Sequence, residues 1–281
     1  MIHVQDLQFS YTSHPFIADI NFTVPAGEIF GFLGPSGAGK TTIQKILTGL
    51  LTNFNGNVEV GGIDLKRFNR DLYERIGVDF EFPSLYEKLT GRENLKFFAS
   101  LYKHHVAIDP LLESVGLIND ADKKVSAYSK GMKSRLDFIK ALVHDPDILF
   151  LDEPTSGLDP SNARVMKNII LQLKAEGKTI VLTTHNMYDA TELCDRVAFI
   201  VDGKLVALNT PHNLIISHGA STVRYSYISD GEEKTSTTAL DKTATDPLLL
   251  QLVKENRLST IHSSEPTLND IFTLLTGREL Q

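Results

Sequence analysis

The octapeptide Gly34-Pro35-Ser36-Gly37-Ala38-Gly39-Lys40-Thr41 constrains the fold of this 281-residue chain more than any other feature. It satisfies the pattern G-x-x-x-x-G-K-[ST] in full. An apolar run from Glu28 to Leu33 leads into it, and Ile43, Ile46, Leu47 and Leu50 recur at helical spacing after it. A strand that turns through glycines straight into a helix gathers backbone N–H groups at one point. The positive end of the helix dipole faces the same point. The expected occupant is a phosphate chain, with Lys40 at the β and γ phosphates and the Thr41 hydroxyl on Mg²⁺. The competing reading is an ordinary glycine turn.

A second segment decides between the two. Ile148-Leu149-Phe150-Leu151 reads as a buried strand that delivers Asp152 and Glu153 at its end. Asp152 suits Mg²⁺, and Glu153, expected on the opposite side of the strand, suits a base that takes a proton from an attacking water. Alone, such a pair before Pro154-Thr155 is as good a helix cap. Together with the glycine loop it is half of a catalytic site.

Strand and helix then alternate: Val165 to Leu173, Thr179 to Thr183, Met187 to Leu193, Val197 to Ile200. That pattern specifies a parallel sheet covered by helices. Residues Ile2 to Val24 read as antiparallel strands with a turn at Ser13-His14-Pro15, and Gly61-Gly62 marks another turn. From about Gly91 to Val143 the character is helical, with Leu95, Phe98, Ala99 and Tyr102 on one face and Leu136, Ile139 and Val143 on another. The segment Ser217 to Ser221 reads as a linker. Beyond it a strand from Thr222 to Ile228, a turn at Ser229-Asp230-Gly231, a helix at Leu248 to Val253, a strand at Leu258 to Ile261 and a helix at Leu268 to Leu275 are expected. The expected division is 1–215, with a helical subdomain at about 91–143, and a small accessory domain at 216–281.

The formal net charge of −7 argues against nucleic acid as the main partner, because duplex binding needs a basic surface. The single cysteine, Cys194, fits a reducing compartment and reads as a small core residue. Met1 to Asp6 has neither the basic start nor the apolar stretch of a signal peptide. The longest apolar runs are of strand length, so a membrane role is expected only by association.

With these residues in place, the chain resembles the nucleotide-binding subunits of the ABC transporter family. Ser156-Gly157-Leu158-Asp159 follows the acidic pair as the D-loop of that family does. His185 matches its switch histidine, and Tyr11 stands where an aromatic ring stacks on adenine, unless it is a strand-edge core residue. The signature Leu-Ser-Gly-Gly-Gln is here Tyr128-Ser129-Lys130-Gly131-Met132. It retains Ser129 and Gly131, and leaves open which way Lys130 faces. The Q-loop glutamine position is taken by Glu81. The segment Glu265 to Gly277 is similar, more loosely, to the tail of the drug, antibiotic and bacteriocin exporter branch.

The resemblance implies a fold and a function. The fold class is α/β: a P-loop NTPase core with parallel sheet, an antiparallel β subdomain and a helical subdomain, plus a small C-terminal α+β domain. The function implied is ATP hydrolysis coupled to transport, in the direction of export, through a separate multi-span membrane permease. The expected catalytic residues are Glu153, His185 and Lys40. ATP is expected on Tyr11, Gly34, Pro35, Ser36, Gly37, Ala38, Gly39, Lys40, Thr41 and Thr42, with Ser129 and Gly131 supplied by a second subunit. Mg²⁺ is expected at Thr41, Asp152 and Glu81. The subunit would form a homodimer, or a heterodimer with a similar chain, on ATP binding, and would lie in the cytoplasm on the inner face of the membrane. The rival readings are a soluble ABC ATPase and a regulatory module that holds ATP without turnover.

Overall fold

The structure, a computed structural model, describes residues 1–67, 70–81, 84–218, 222–229 and 231–278. It divides into two compact units, Met1–Asn209 and Thr210–Leu280. In chain order the first unit carries β1 (Ile2–Phe9), β2 (Ile17–Val24), β3 (Ile29–Leu33), α1 (Lys40–Leu47), β4 (Phe54–Val60), β5 (Ile63–Asp64) and α2 (Asp71–Arg75). There follow β6 (Ile76–Asp79), α3 (Gly91–Ala99), α4 (Ile108–Ser114), α5 (Lys130–Lys140), β7 (Ile148–Asp152) and α6 (Pro160–Ala175). The unit closes with β8 (Thr179–Thr184), α7 (Met187–Leu193), β9 (Arg196–Val201) and β10 (Lys204–Asn209).

Its main sheet runs β10-β9-β3-β8-β7-β6. The pairs from β9 to β6 are parallel, and β10 returns antiparallel along the β9 edge. The three central strands β3, β7 and β8 are buried along their whole length, as strands covered on both faces must be. A second sheet, β2-β1-β4-β5, is antiparallel and alternates between buried and exposed residues. Its inner face, with Ile2, Val4, Leu7 and Val58, shares a core with Phe30, Phe32 and Phe150 of the main sheet and with Ile43 and Ile46 of α1. Phe22, Phe30 and Phe32 meet ring to ring at 5.3–5.4 Å.

Helix α1 stops sooner than the apolar spacing suggests. Gly49 adopts φ 74° and turns the chain away, which leaves Leu50 exposed. In the helical region, α3 starts on a reciprocal cap between Thr90 and Glu93, and α5 starts on the Ser129 hydroxyl, which accepts from Met132 N. Leu95, Ala99, Leu136, Ile139 and Val143 are buried there. Cys194 is buried against Gly31 in the core, and its burial pushes the thiol pKa up.

The second unit contains α8 (Pro211–His218), β11 (Thr222–Ser229), β12 (Glu232–Ala239), α9 (Pro247–Lys254), β13 (Leu258–Ser264) and α10 (Leu268–Thr276). The boundary at Thr210 differs from the expected 215/216 division. Ser217 and His218, read as linker, end helix α8, whereas Gly219 to Ser221 and Asp230 lie outside the described residues. The sheet order is β12-β11-β13, antiparallel throughout. Val223 and Tyr225 pack on Leu249 and Leu252 of α9. Asp246 caps α9 through Leu249 N and receives the Tyr225 hydroxyl at 3.3 Å. Among the described residues no helix is long and apolar enough to cross a membrane.

Candidate active site

The parallel strands deliver their chemistry at one place, the carboxyl ends of β3, β6, β7 and β8, where open α/β sheets bind ligands. A cavity of about 260 Å³ there is lined by Ser36 to Thr42, Phe16, Glu81, Asp152, Glu153 and His185. Glycine is required at its rim. Gly34 has φ 155°, and a Cβ on it would lie 2.1 Å from the Ile200 carbonyl oxygen. Gly39 has φ 110° and opens α1, and a Cβ there would strike Ile17 at 2.6 Å.

Lys40 is 8% exposed, and its ammonium donates to the carbonyls of Gly34 (2.6 Å) and Pro35 (3.0 Å). Burial holds its pKa below the usual lysine value, while the carboxylates of Glu153, Asp152 and Glu81 act in the opposite direction. The loop thus presents a buried cation that shares its cavity with three carboxylates. A polyphosphate placed between them would take up that charge.

Asp152 is buried and held on both oxygens, by the Thr183 hydroxyl and by Thr41 Oγ1 at 3.3 Å. A threonine hydroxyl beside a carboxylate is a pair of hard oxygen donors, the type that suits a small divalent cation. Glu153 accepts from Thr184 Oγ1 (3.1 Å) and His185 N (3.0 Å), and its Oε1 lies 2.7 Å from His185 Nδ1. With the carboxylate ionised, that ring nitrogen carries the proton and donates. Glu153 does not point to the opposite side from Asp152. Its φ of 53° puts it in the left-handed region, the strand alternation ends at Asp152, and both carboxylates line one cavity. The helix-cap reading of the pair also fails. The α6 cap is Asp159, which accepts from Ser161 N and Asn162 N at 3.1 Å ahead of Pro160.

Thr42 is tied to Tyr11, whose hydroxyl lies 3.0 Å from its Oγ1. Tyr11 is 57% exposed, which rules out the core reading. Its ring meets Phe9 edge-on at 4.7 Å and Phe16 at 5.4 Å. Phe16 reaches the cavity and was not foreseen, since nothing marks one phenylalanine next to Pro15 as different from a core residue. Glu81 is exposed yet lines the cavity. Ser129 and Gly131 do not line it: the Ser129 hydroxyl is the α5 cap, and Gly131 lies near Leu158. Lys130 turns toward its own chain, and its Nζ lies 3.0 Å from where a Cβ on Gly157 would stand.

The comparisons agree with this geometry. Residues 17–156 match the family model described as ABC transporter. The fluoroquinolones export ATP-binding protein of Mycobacterium tuberculosis is 51% identical, over 100% of this chain and 94% of its own. The Nod factor export ATP-binding protein I of Burkholderia lata is 40% identical, over 93% and 92%. Among solved structures, an ATP-binding subunit of an ABC transporter superposes with a TM-score of 0.72 at 29% identity, covering 77% of this chain and 92% of that one. A dimeric ATP-binding cassette with ADP and phosphate shares the fold, with a TM-score of 0.68 at 24% identity over 75% and 98%. The chain belongs to the ATP-binding subunits of the ABC transporters, an ATPase family.

Proposed function

We propose that this subunit hydrolyses Mg²⁺-ATP to drive export through a separate membrane-spanning permease. The observation that carries the catalytic part is the convergence of Lys40, the Thr41–Asp152 pair and the Glu153–His185 pair on one cavity. Support for export comes from whole-length similarity to proteins named for export of fluoroquinolones and Nod factor.

In this reading Lys40 and the backbone of Gly34 to Thr42 hold the β and γ phosphates. Thr41, Asp152 and Glu81, which line the cavity, would hold Mg²⁺, and the metal would supply neutralisation of the phosphate charge. Glu153 takes the proton of the attacking water, and His185 orients that carboxylate through Nδ1. A cavity of about 260 Å³ falls short of the ~300–1,000 Å³ that encloses a whole small ligand. It accommodates phosphates and leaves the base outside, where Tyr11 offers an exposed ring.

In the same reading Ser129 and Gly131, which lie away from this cavity, meet the nucleotide of a second subunit. ATP then favours the closed dimer through contacts that exist only there. The subunit is placed on the inner face of the membrane by its permease. Residues 210–280 are an accessory domain of that assembly. Glu153 in contact with His185 favours turnover over a module that only holds ATP. The test is purification from detergent extract: a multi-span membrane protein that co-purifies and raises phosphate release supports the proposal. Recovery of the ATPase alone, or on ribosomes, contradicts it.

A further inference from the structure

The segment carrying Glu153 closes into a ring of hydrogen bonds whose far side is Asp189, a residue outside the cavity. The backbone at Glu153 is left-handed, φ 53°, a conformation that non-glycine residues keep only when the surroundings over-determine it. One side of the ring is the β8 end. Thr184 Oγ1 donates to Glu153 Oε2 (3.1 Å) and accepts from Asn186 N (3.0 Å). Asn186 Oδ1 in turn accepts from Tyr188 N (3.0 Å) and Asp189 N (3.2 Å), and so starts α7. The other side is Thr155, two residues beyond Glu153, whose Oγ1 donates to Asp189 Oδ2 at 2.6 Å. Lys167 of α6 holds the second oxygen, Oδ1, at 3.2 Å, and also reaches Glu192. Asp189 is 8% exposed, so a buried carboxylate has both oxygens committed and cannot swing to solvent.

We propose that Asp189 is a positioning residue for ATP hydrolysis: through Thr155 it fixes the turn at Glu153 and aims that carboxylate into the cavity. The inference rests on the assignment of Glu153 as the base. The geometry explains why a buried ion pair sits behind the site rather than in it. The carboxylate ties the loop after β7 to the helix after His185, and Lys167 ties both to α6. Glu153 and His185, 2.7 Å apart, are thereby braced by three elements as well as by their own contact. Thr155→Val removes the hydroxyl and keeps the shape, which isolates the bond from the packing.

The test is steady-state phosphate release against ATP concentration for wild type, Thr155→Val, Thr155→Ser, Asp189→Asn, Glu153→Gln and the double variant Thr155→Val/Glu153→Gln, with a melting curve for each. The expected result is a fall in kcat of about 10- to 100-fold in Thr155→Val and Asp189→Asn with KM unchanged, the effect of misplacing a catalytic group by an ångström or less. Thr155→Ser keeps wild-type turnover, and Thr155→Val adds nothing once Glu153 is Gln. Wild-type kcat in Thr155→Val overturns the inference. So does an equal slowing with and without Glu153, or a loss of ATP binding that tracks a lower melting temperature. Wild-type turnover in Glu153→Gln alone removes the base assignment itself, and shows with Thr155 intact.

Discussion

At the scale of single residues, the site is a balance of three carboxylates, Glu81, Asp152 and Glu153, against one buried ammonium and a helix N-terminus. Among the described residues, Lys40 is the one lysine or arginine of the cavity lining, and Lys40→Ala removes it. Turnover should fall by at least about 10²-fold, the usual cost of losing a group that meets developing charge. Retention of wild-type phosphate release in that variant would mean the site is elsewhere. Glu81 brings a carboxylate to the cavity lining, at the position that the resemblance assigns to a glutamine. It should strengthen the hold on Mg²⁺ and oppose the γ phosphate. Glu81→Gln is therefore expected to raise the Mg²⁺ concentration for half-maximal turnover, most clearly with the permease present. Superimposable Mg²⁺ titrations of the two proteins would refute a role for its charge. Lys130 was open in the sequence because a side chain at a helix start can face either way. It lies against Gly157 of its own chain, toward the loop after the catalytic pair.

At the scale of elements, His144 joins the helical region to the main sheet. Its Nε2 donates to the Ile76 carbonyl of β6 at 2.9 Å, and its ring stacks on Tyr102 at 3.8 Å. Burial lowers its pKa from the ordinary 6.5, with the Ile76 hydrogen bond acting the other way. The unfolded chain then binds the proton more readily than the folded one. His144 favours folding above pH 6.5, and that contribution is lost as pH falls below 6.5 through the folded pKa. Asp79, pushed up by burial beside Asp137, contributes with the opposite sign, losing stability as pH rises from 3.8. The informative quantity is thus a difference. Between pH 7 and 5, urea unfolding of wild type should lose more stability than that of His144→Phe, and parallel losses would contradict this account. Strands β3, β7, β8 and β9 and helices α6, α7, α9 and α10 were legible because a wholly apolar run or a helical period leaves one choice. Strands β5, β6, β10 and β12 were not, and beside Phe16 three further features were hidden. Helix α8 was hidden because eight residues with one buried leucine, Leu214, carry too little periodicity. The shared cavity of Asp152 and Glu153 was hidden because a positive φ at a glutamate has no sequence signature. The Thr155–Asp189 bond was hidden because it joins residues 34 positions apart.

At the scale of the whole molecule, every residue of the cavity precedes Asn209, and residues 222–258 have a core of their own in Val223, Tyr225, Leu249 and Leu252. Compact units with separate cores fold separately. A chain cut after Asn209 should therefore fold and bind ATP with the affinity of the full protein, as read by circular dichroism and titration with a fluorescent nucleotide. A cut chain that precipitates or fails to bind would show that the second unit is part of the ATPase fold. The central claim is that this chain hydrolyses ATP with Glu153 as base, between two copies or near-copies of itself. Glu153→Gln, with ATP affinity and phosphate release measured on the same preparation and its size read on a column in saturating Mg²⁺-ATP, tests it most directly. The account predicts unchanged affinity, turnover slowed by about 10²–10⁴-fold and a stable ATP-bound dimer. Wild-type turnover, or a strict monomer with ATP bound, would contradict it.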